Sequence, residues 1–205
     1  MARITKIGLW LVPILFSVAA AVASEIREFD IKTIERLGAE LTQVSQRPDR
    51  GVTTPVRKRA KQTAIAALRG KLFDIRYDYV VLDDPDGSGF LVYALGQGPK
   101  PDDTVVHGHF RVTVSADGSK AERVDALAHS FFIDTKESPV VGNYKKVAFS
   151  MNQPLGTKPV ETLVYASNHM RMPIAVATPP HGQVWFIDNG KITEVAPKRR
   201  LGERR

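Results

Sequence analysis

Apolar residues recur every three to four positions from Asp30 to Gln46 and again from Thr54 to Arg69, then at every second position from Phe73 onward. In the first segment Ile31, Ile34, Leu37, Leu41 and Val44 share one stripe, and Asp30 stands where an N-cap belongs. "RPDRGVTTP" reads as a loop. Thr54 then caps a second helix whose first position is Pro55, where a missing N–H costs nothing. Val56, Ala60, Ala64, Ala67 and Leu68 give that helix its apolar face, and Gly70 is its stop. Helices over about 30–46 and 55–69 are predicted.

The period-two region predicts strands. In "LFDIRYDYVVL", Phe73, Ile75, Tyr77, Tyr79 and Val81 point one way while Asp74, Arg76 and Asp78 point the other. "DDPDGSG" is a turn and "FLVYAL" the returning strand. "GQGPKPDD" connects to a long hairpin beginning "TVVHGHFRVTVSADG". Later "ETLVYAS", "PIAVAT", "QVWFID" and "KITEV" read as strands, the last two joined through Asn189-Gly190, a strong hairpin signal. Residues 136–159 are poorly periodic and read as a long loop with one short strand. Strands joined by short turns, with the helices first, imply an α+β fold: two helices packed on one face of a curved, mainly antiparallel sheet. In element order alone this outline is loosely similar to cystatin-like and NTF2-like domains; no motif accompanies the similarity.

Within the long hairpin, Val106, Gly108, Phe110, Val112 and Val114 form the expected core face. His107, His109, Arg111, Thr113 and Ser115 fall on the opposite, polar face. On the return strand Val124, Ala126 and Ala128 share the core parity, and Arg123, Asp125, Leu127 and His129 the other. A turn around "SADGS" with an odd number of loop residues keeps both apolar sets together. The polar face is expected to meet solvent, with Arg111 paired to Asp125 across the strands.

The start of the chain bounds its location. "MARITK" is basic, and the apolar run Ile7 to Ala23 closes on Ala21-Val22-Ala23, the pattern of a secretory signal cleaved after Ala23. The alternative is retention as a membrane anchor. No cysteine follows at position 24 to carry a lipid. Cleavage leaves Ser24 to Arg205: a single domain over 24–196 and a basic, disordered tail over 197–205. Loss of Arg3 and Lys6 lowers the formal charge from +7 to +5. The chain has 0 cysteines, which excludes disulfides, thiolate metal sites and thiol catalysis. A periplasmic or secreted location is the expectation.

Candidate chemistry is sparse. His107, His109 and His129 could supply three imidazoles to an open zinc site, with Asp125 as a fourth ligand or an orienting partner. His169, Met170 and Met172 in "SNHMRMP" have the soft donors that suit Cu(I). Packing methionines and a solvated sheet face are the alternatives, and no cofactor is the expectation. His181 sits in a turn with no special role. The chain has no G-x-S-x-G, H-E-x-x-H, P-loop or G-x-G-x-x-G pattern. Ser130 and His129 are adjacent on a strand and face apart. "LDDPDGSG" lacks the twelfth-position glutamate of an EF-hand loop.

Arg57, Lys58, Lys61 and Arg69 form a basic face on the second helix, suited to solvent or to weak contact with an anionic membrane surface. Nucleic acid is not expected as a partner. The resulting expectation is an exported, non-catalytic module that binds an envelope protein or a small ligand, with Tyr77, Tyr79, Tyr93 or Trp185 lining an apolar groove. A metal-binding protein or metal-dependent enzyme built on the histidines is the alternative.

Overall fold

Asp30 accepts the Thr33 N–H at 3.0 Å and starts α1 (Ile31–Ser45). Thr54 accepts the Arg57 N–H at 3.2 Å and starts α2 (Pro55–Ala67), with Pro55 in the first turn. Both helices thus begin at the caps that the sequence predicts. This is a computed structural model, and it describes residues 26–100, 103–134, 148–150, 156–178 and 183–195. The export signal, His181 and the basic tail lie outside the described residues.

The first sheet holds β1 (Arg76–Asp83), β2 (Phe90–Gln97), β4 (Phe110–Val114) and β5 (Ala121–Ala126) in the order β1-β2-β4-β5, all antiparallel. Between them, β3 (Thr104–His107) leaves this sheet and pairs with β6 (Phe132–Asp134). A second sheet follows the order β10-β9-β8-β7, from β7 (Ala148–Ser150), β8 (Ile174–Thr178), β9 (Gln183–Asp188) and β10 (Lys191–Val195). Its β7–β8 pair is parallel and the rest antiparallel. The fold is α+β with mainly antiparallel sheets.

The two N-terminal helices do not share a face of the sheet. Ala60, Ala64 and Leu68, from α2 and its C-terminal end, are buried with Val81, Val92, Ala94, Phe110, Val112 and Val114. Ile34, Leu37, Leu41 and Val44 of α1 are buried with Val80, Leu82, Leu91, Tyr93 and Leu95. Neighbouring strand residues face opposite ways, so the alternation Val80/Val81 and Leu91/Val92 serves two cores. The sheet is covered on both sides, which explains why the central strands read as apolar runs.

"ETLVYAS" is helical, not extended: α3 spans Glu161–Met170. Glu161 to Ser167 are all buried. A helix covered all round shows no amphipathic period and cannot be told from a buried strand by pattern. Its close neighbour is α1, where a Cβ on Gly38 would lie 2.4 Å from the Val164 Cβ. Glycine is what lets the two helices touch. Beyond α3, Ile174, Val176, Trp185 and Ile187 of the second sheet join the same core.

The long hairpin strand is broken at Gly108, whose φ is +106° and where a Cβ would lie 2.6 Å from the Phe131 Cβ. Only glycine fits that conformation and approach. The break switches faces. Val106 belongs to the α1/α3 core, whereas Phe110, Val112 and Val114 belong to the α2 core.

The β4–β5 register matches the expected one, with Arg111 opposite Asp125 and Val112 opposite Val124. Its origin differs. Ser115 N–H donates to Lys120 C=O at 2.9 Å around an even loop, residues 116–119, and Glu122 is then bulged between Ala121 and Arg123. Loop and bulge together insert the odd count that parity demands. At the last hairpin, Asn189 and Gly190 have φ of 49° and 76°, the left-handed pair that an Asn-Gly turn supplies.

Candidate functional site

The expected wet face of the hairpin is buried. Arg111 has no exposed surface, and His107, His109, Thr113 and Asp125 are buried around it. What covers them is the extended segment 26–30 and the start of α3. Arg111 donates through Nη1 to Glu161 Oε1 at 2.6 Å and through Nη2 to Asp125 Oδ2 at 2.8 Å. Its Nη2 also donates to the Arg27 carbonyl. Tyr93 Oη donates to the same Glu161 oxygen at 2.8 Å, and Arg123 Nε to Asp125 Oδ1 at 2.6 Å. The Phe29 ring lies 4.8 Å from the guanidinium carbons of both Arg27 and Arg111. Burial opposes the charge on Arg111, but Glu161, Tyr93 and Asp125 raise its pKa above the ordinary value. Burial, reinforced by the Glu161 charge, drives the Tyr93 hydroxyl well above its usual pKa. Arg111, Glu161, Asp125 and Tyr93 satisfy one another in the interior, and Arg123 carries the network to the surface.

Segment 26–30 is anchored at several points. Arg27 grips Asp84 with both guanidinium nitrogens at 2.7 Å and reaches Asp86 at 3.0 Å. Ile26 and Phe29 are buried in the core. Glu28 accepts from the Thr157 hydroxyl at 3.0 Å, and Lys158 Nζ donates to Phe29 C=O at 3.3 Å. Arg27 thus engages two carboxylates of the acidic turn, Asp84 and Asp86.

The histidines do not converge. His109 accepts the Gly96 N–H on Nδ1 at 3.0 Å, and its Nε2 lies 3.0 Å from the Val105 carbonyl. A carbonyl can only accept, so Nε2 carries the proton and neither nitrogen retains a lone pair for a metal. Burial lowers both His107 and His109 to a pKa of about 4. His129 is exposed, and Asp125 is engaged by Arg111 and Arg123. Among the described residues no three of His, Asp and Glu come together as a metal site. At the end of α3, His169 is exposed, Met170 packs against the core and Met172 lies beyond the left-handed Arg171.

The four candidate aromatic residues are also distributed. Tyr93 and Trp185 are buried in the α1/α3 core, while Tyr77 and Tyr79 pack against the α2 core. Tyr77 Oη donates to Gly108 C=O at 2.9 Å, and Trp185 Nε1 to Thr178 Oγ1 at 3.2 Å. On the basic face, Arg57 is a strap: it donates to the Gly51 and Val81 carbonyls at 3.1 Å, pairs with Asp83 and lies over Phe90. Lys61 lies over Tyr79 at 5.9 Å, and Lys58 and Arg69 remain exposed.

A polar cleft opens elsewhere, where the β2–β3 connection meets the last turn of α3. It has a volume of about 80 Å³, and its lining includes Arg76, Gln97, Lys100, Asp103, Tyr165 and His169. Arg76 donates to Gly98 C=O at 3.2 Å, and the Lys100 N–H donates to Asp103 Oδ2 at 3.1 Å. The close approach of Gly98 to Asp103, where a Cβ would meet another at 2.5 Å, holds the rim tight. The His169 ring lies tilted against Tyr165 one helical turn earlier, with ring centroids 5.8 Å apart. Tyr165 in turn meets His109 edge-on at 6.2 Å. A row of rings therefore runs from the buried backbone stitch at His109 to the cleft rim.

Of the cleft residues, only His169 stands out in the sequence as a candidate. Arg76 reads as an outward strand residue, and "GQGPKPDD" as a connection. Its cluster of glycine, lysine and aspartate is the one local signal. Comparison with known proteins finds no matching family model, no matching curated protein and no matching solved structure, so the loose likeness to cystatin-like and NTF2-like domains acquires no structural counterpart.

Proposed function

We propose that the protein is exported and acts as a non-catalytic binding module, taking its ligand at the cleft between the β2–β3 connection and the end of α3. The observation that carries this reading is the contrast between two polar regions. Arg111, Asp125, Glu161 and Tyr93 are buried and paired with one another, whereas Arg76 and His169 present exposed polar groups to one concavity. Convergent polar groups in a concavity are the usual mark of a ligand site. The separated aromatic residues argue against an aromatic groove as the binding surface. Export rests on the basic leader, the apolar run 7–23 and Ala21-Val22-Ala23.

Two measurements test the reading. Expression of the full chain in a bacterial host, followed by fractionation and intact-mass analysis, is expected to give a periplasmic species beginning at Ser24. A full-length, membrane-retained species would overturn the export reading. Thermal-shift screening of small metabolites should give stabilisation that is lost in an Arg76→Gln/His169→Gln variant. Stabilisation that persists in that variant, or turnover of a screened compound, would overturn the binding reading.

A further inference from the structure

We propose that the cleft binds a single oxyanionic group, a carboxylate or a phosphate, held between the Arg76 guanidinium and the His169 imidazole; this rests on the cleft being the binding site. The lining has a definite polarity. Arg76 and Lys100 are cationic, His169 adds an imidazole, Gln97 adds an amide, and among the described lining residues the one acid is Asp103. That acid is buried, and its Oδ2 already accepts the Lys100 backbone N–H. Its charge is turned into the β2–β3 connection.

Arg76 is placed for the role. Its Nη2 is tied to Gly98 C=O, which fixes the guanidinium at the rim. A planar guanidinium so anchored can still offer a fork to two oxygens, the geometry that recognises carboxylate and phosphate. On the far side, the Tyr165 ring lies against His169, and Tyr165 is itself buried and backed by His109. The donor on that wall is therefore positioned by packing rather than by another hydrogen bond. A volume of about 80 Å³ accommodates one small charged group, and drug-sized ligands need several-fold more. The cleft would thus grip the anionic end of a larger molecule or a free small anion.

The test uses the mature chain, with amide spectra recorded by NMR at constant ionic strength. Sodium phosphate and sodium acetate are titrated separately, with sodium chloride as the reference. Saturable shifts confined to Gly96, Gly98, Thr104, Val105, Tyr165 and His169 are expected with phosphate, acetate or both. The two arms distinguish a phosphate site from a carboxylate site. Arg76→Gln and His169→Gln should each weaken binding about tenfold without changing the thermal midpoint, since both side chains are exposed. Absence of saturation in both arms, or equal binding by the Arg76→Gln variant, would overturn the proposal. A parallel titration with neutral fragments separates the two levels of the reading. Cleft shifts with neutral fragments alone would overturn the oxyanion class and keep the site, whereas saturable shifts mapping elsewhere would overturn both.

Discussion

His109 joins Gly96 to Val105 by accepting the Gly96 N–H on one ring nitrogen and donating to the Val105 carbonyl from the other, each at 3.0 Å. The imidazole takes the place of a strand partner where Gly108 interrupts the ladder. His109→Ala would leave a buried N–H and a buried carbonyl unpaired and open a void, a loss of about 2–4 kcal/mol. Urea denaturation of the variant beside the parent measures it. An unchanged midpoint would show that the stitch contributes nothing.

The same ring sets a pH dependence. Both His107 and His109 titrate at about 4 in the folded chain, against 6.5 ordinarily. Between those values the unfolded chain binds more protons. Stability is therefore full above about pH 6.5 and falls progressively as pH drops toward 4, by on the order of 3 kcal/mol for His109. Denaturation midpoints collected across that range should decline in the parent and decline less in His109→Ala.

Elemental analysis of the purified protein checks the ligand status of these histidines. With both His109 nitrogens committed to backbone groups, zinc and copper content should be the same in the parent and in a His107→Ala/His109→Ala variant. Stoichiometric metal that disappears in the variant would mean that the imidazole abandons both bonds to coordinate it.

Arg111 is the counterion of two buried carboxylates. Arg111→Met should cost about 3–5 kcal/mol, because Glu161 would be left buried without a cation and Asp125 would keep only the half-exposed Arg123. Removing one acid as well, in Arg111→Met/Glu161→Gln, should recover part of the loss. A double variant less stable than the single one would contradict this account of the network.

The segment 26–30 is part of the fold. Phe29→Ala removes a buried ring from the core and from the two guanidinium groups, and is expected to cost about 3–5 kcal/mol. Arg27→Ala removes the cation from the buried Asp84 carboxylate, whose neighbourhood is still partly reached by solvent, and is expected to cost about 1–3 kcal/mol. Thermal denaturation of the two variants should rank them in that order.

Several features were decided by the chain's local chemistry. Asp30, Thr54 with Pro55, and Asn189-Gly190 each act on backbone within a few residues, so caps, helix starts and the last turn are legible in the sequence alone. The α+β class follows from the change of period near Phe73. The opposition of Arg111 and Asp125 was legible as well, since pleat parity permits few registers.

What only the tertiary structure decided depends on what lies above a residue. Burial on every side erased the helical period of Glu161–Ser167. The cover supplied by segment 26–30 and α3 turned a polar sheet face into an enclosed ion-pair network. Gly108 moved Val106 and Phe110 to different cores, because its positive φ redirects the strand. The cleft joins Arg76, the β2–β3 connection and the end of α3, residues up to 93 positions apart from Arg76 to His169. Periodicity reports the neighbours of a residue along its own element; it carries no record of which distant element will cover that residue.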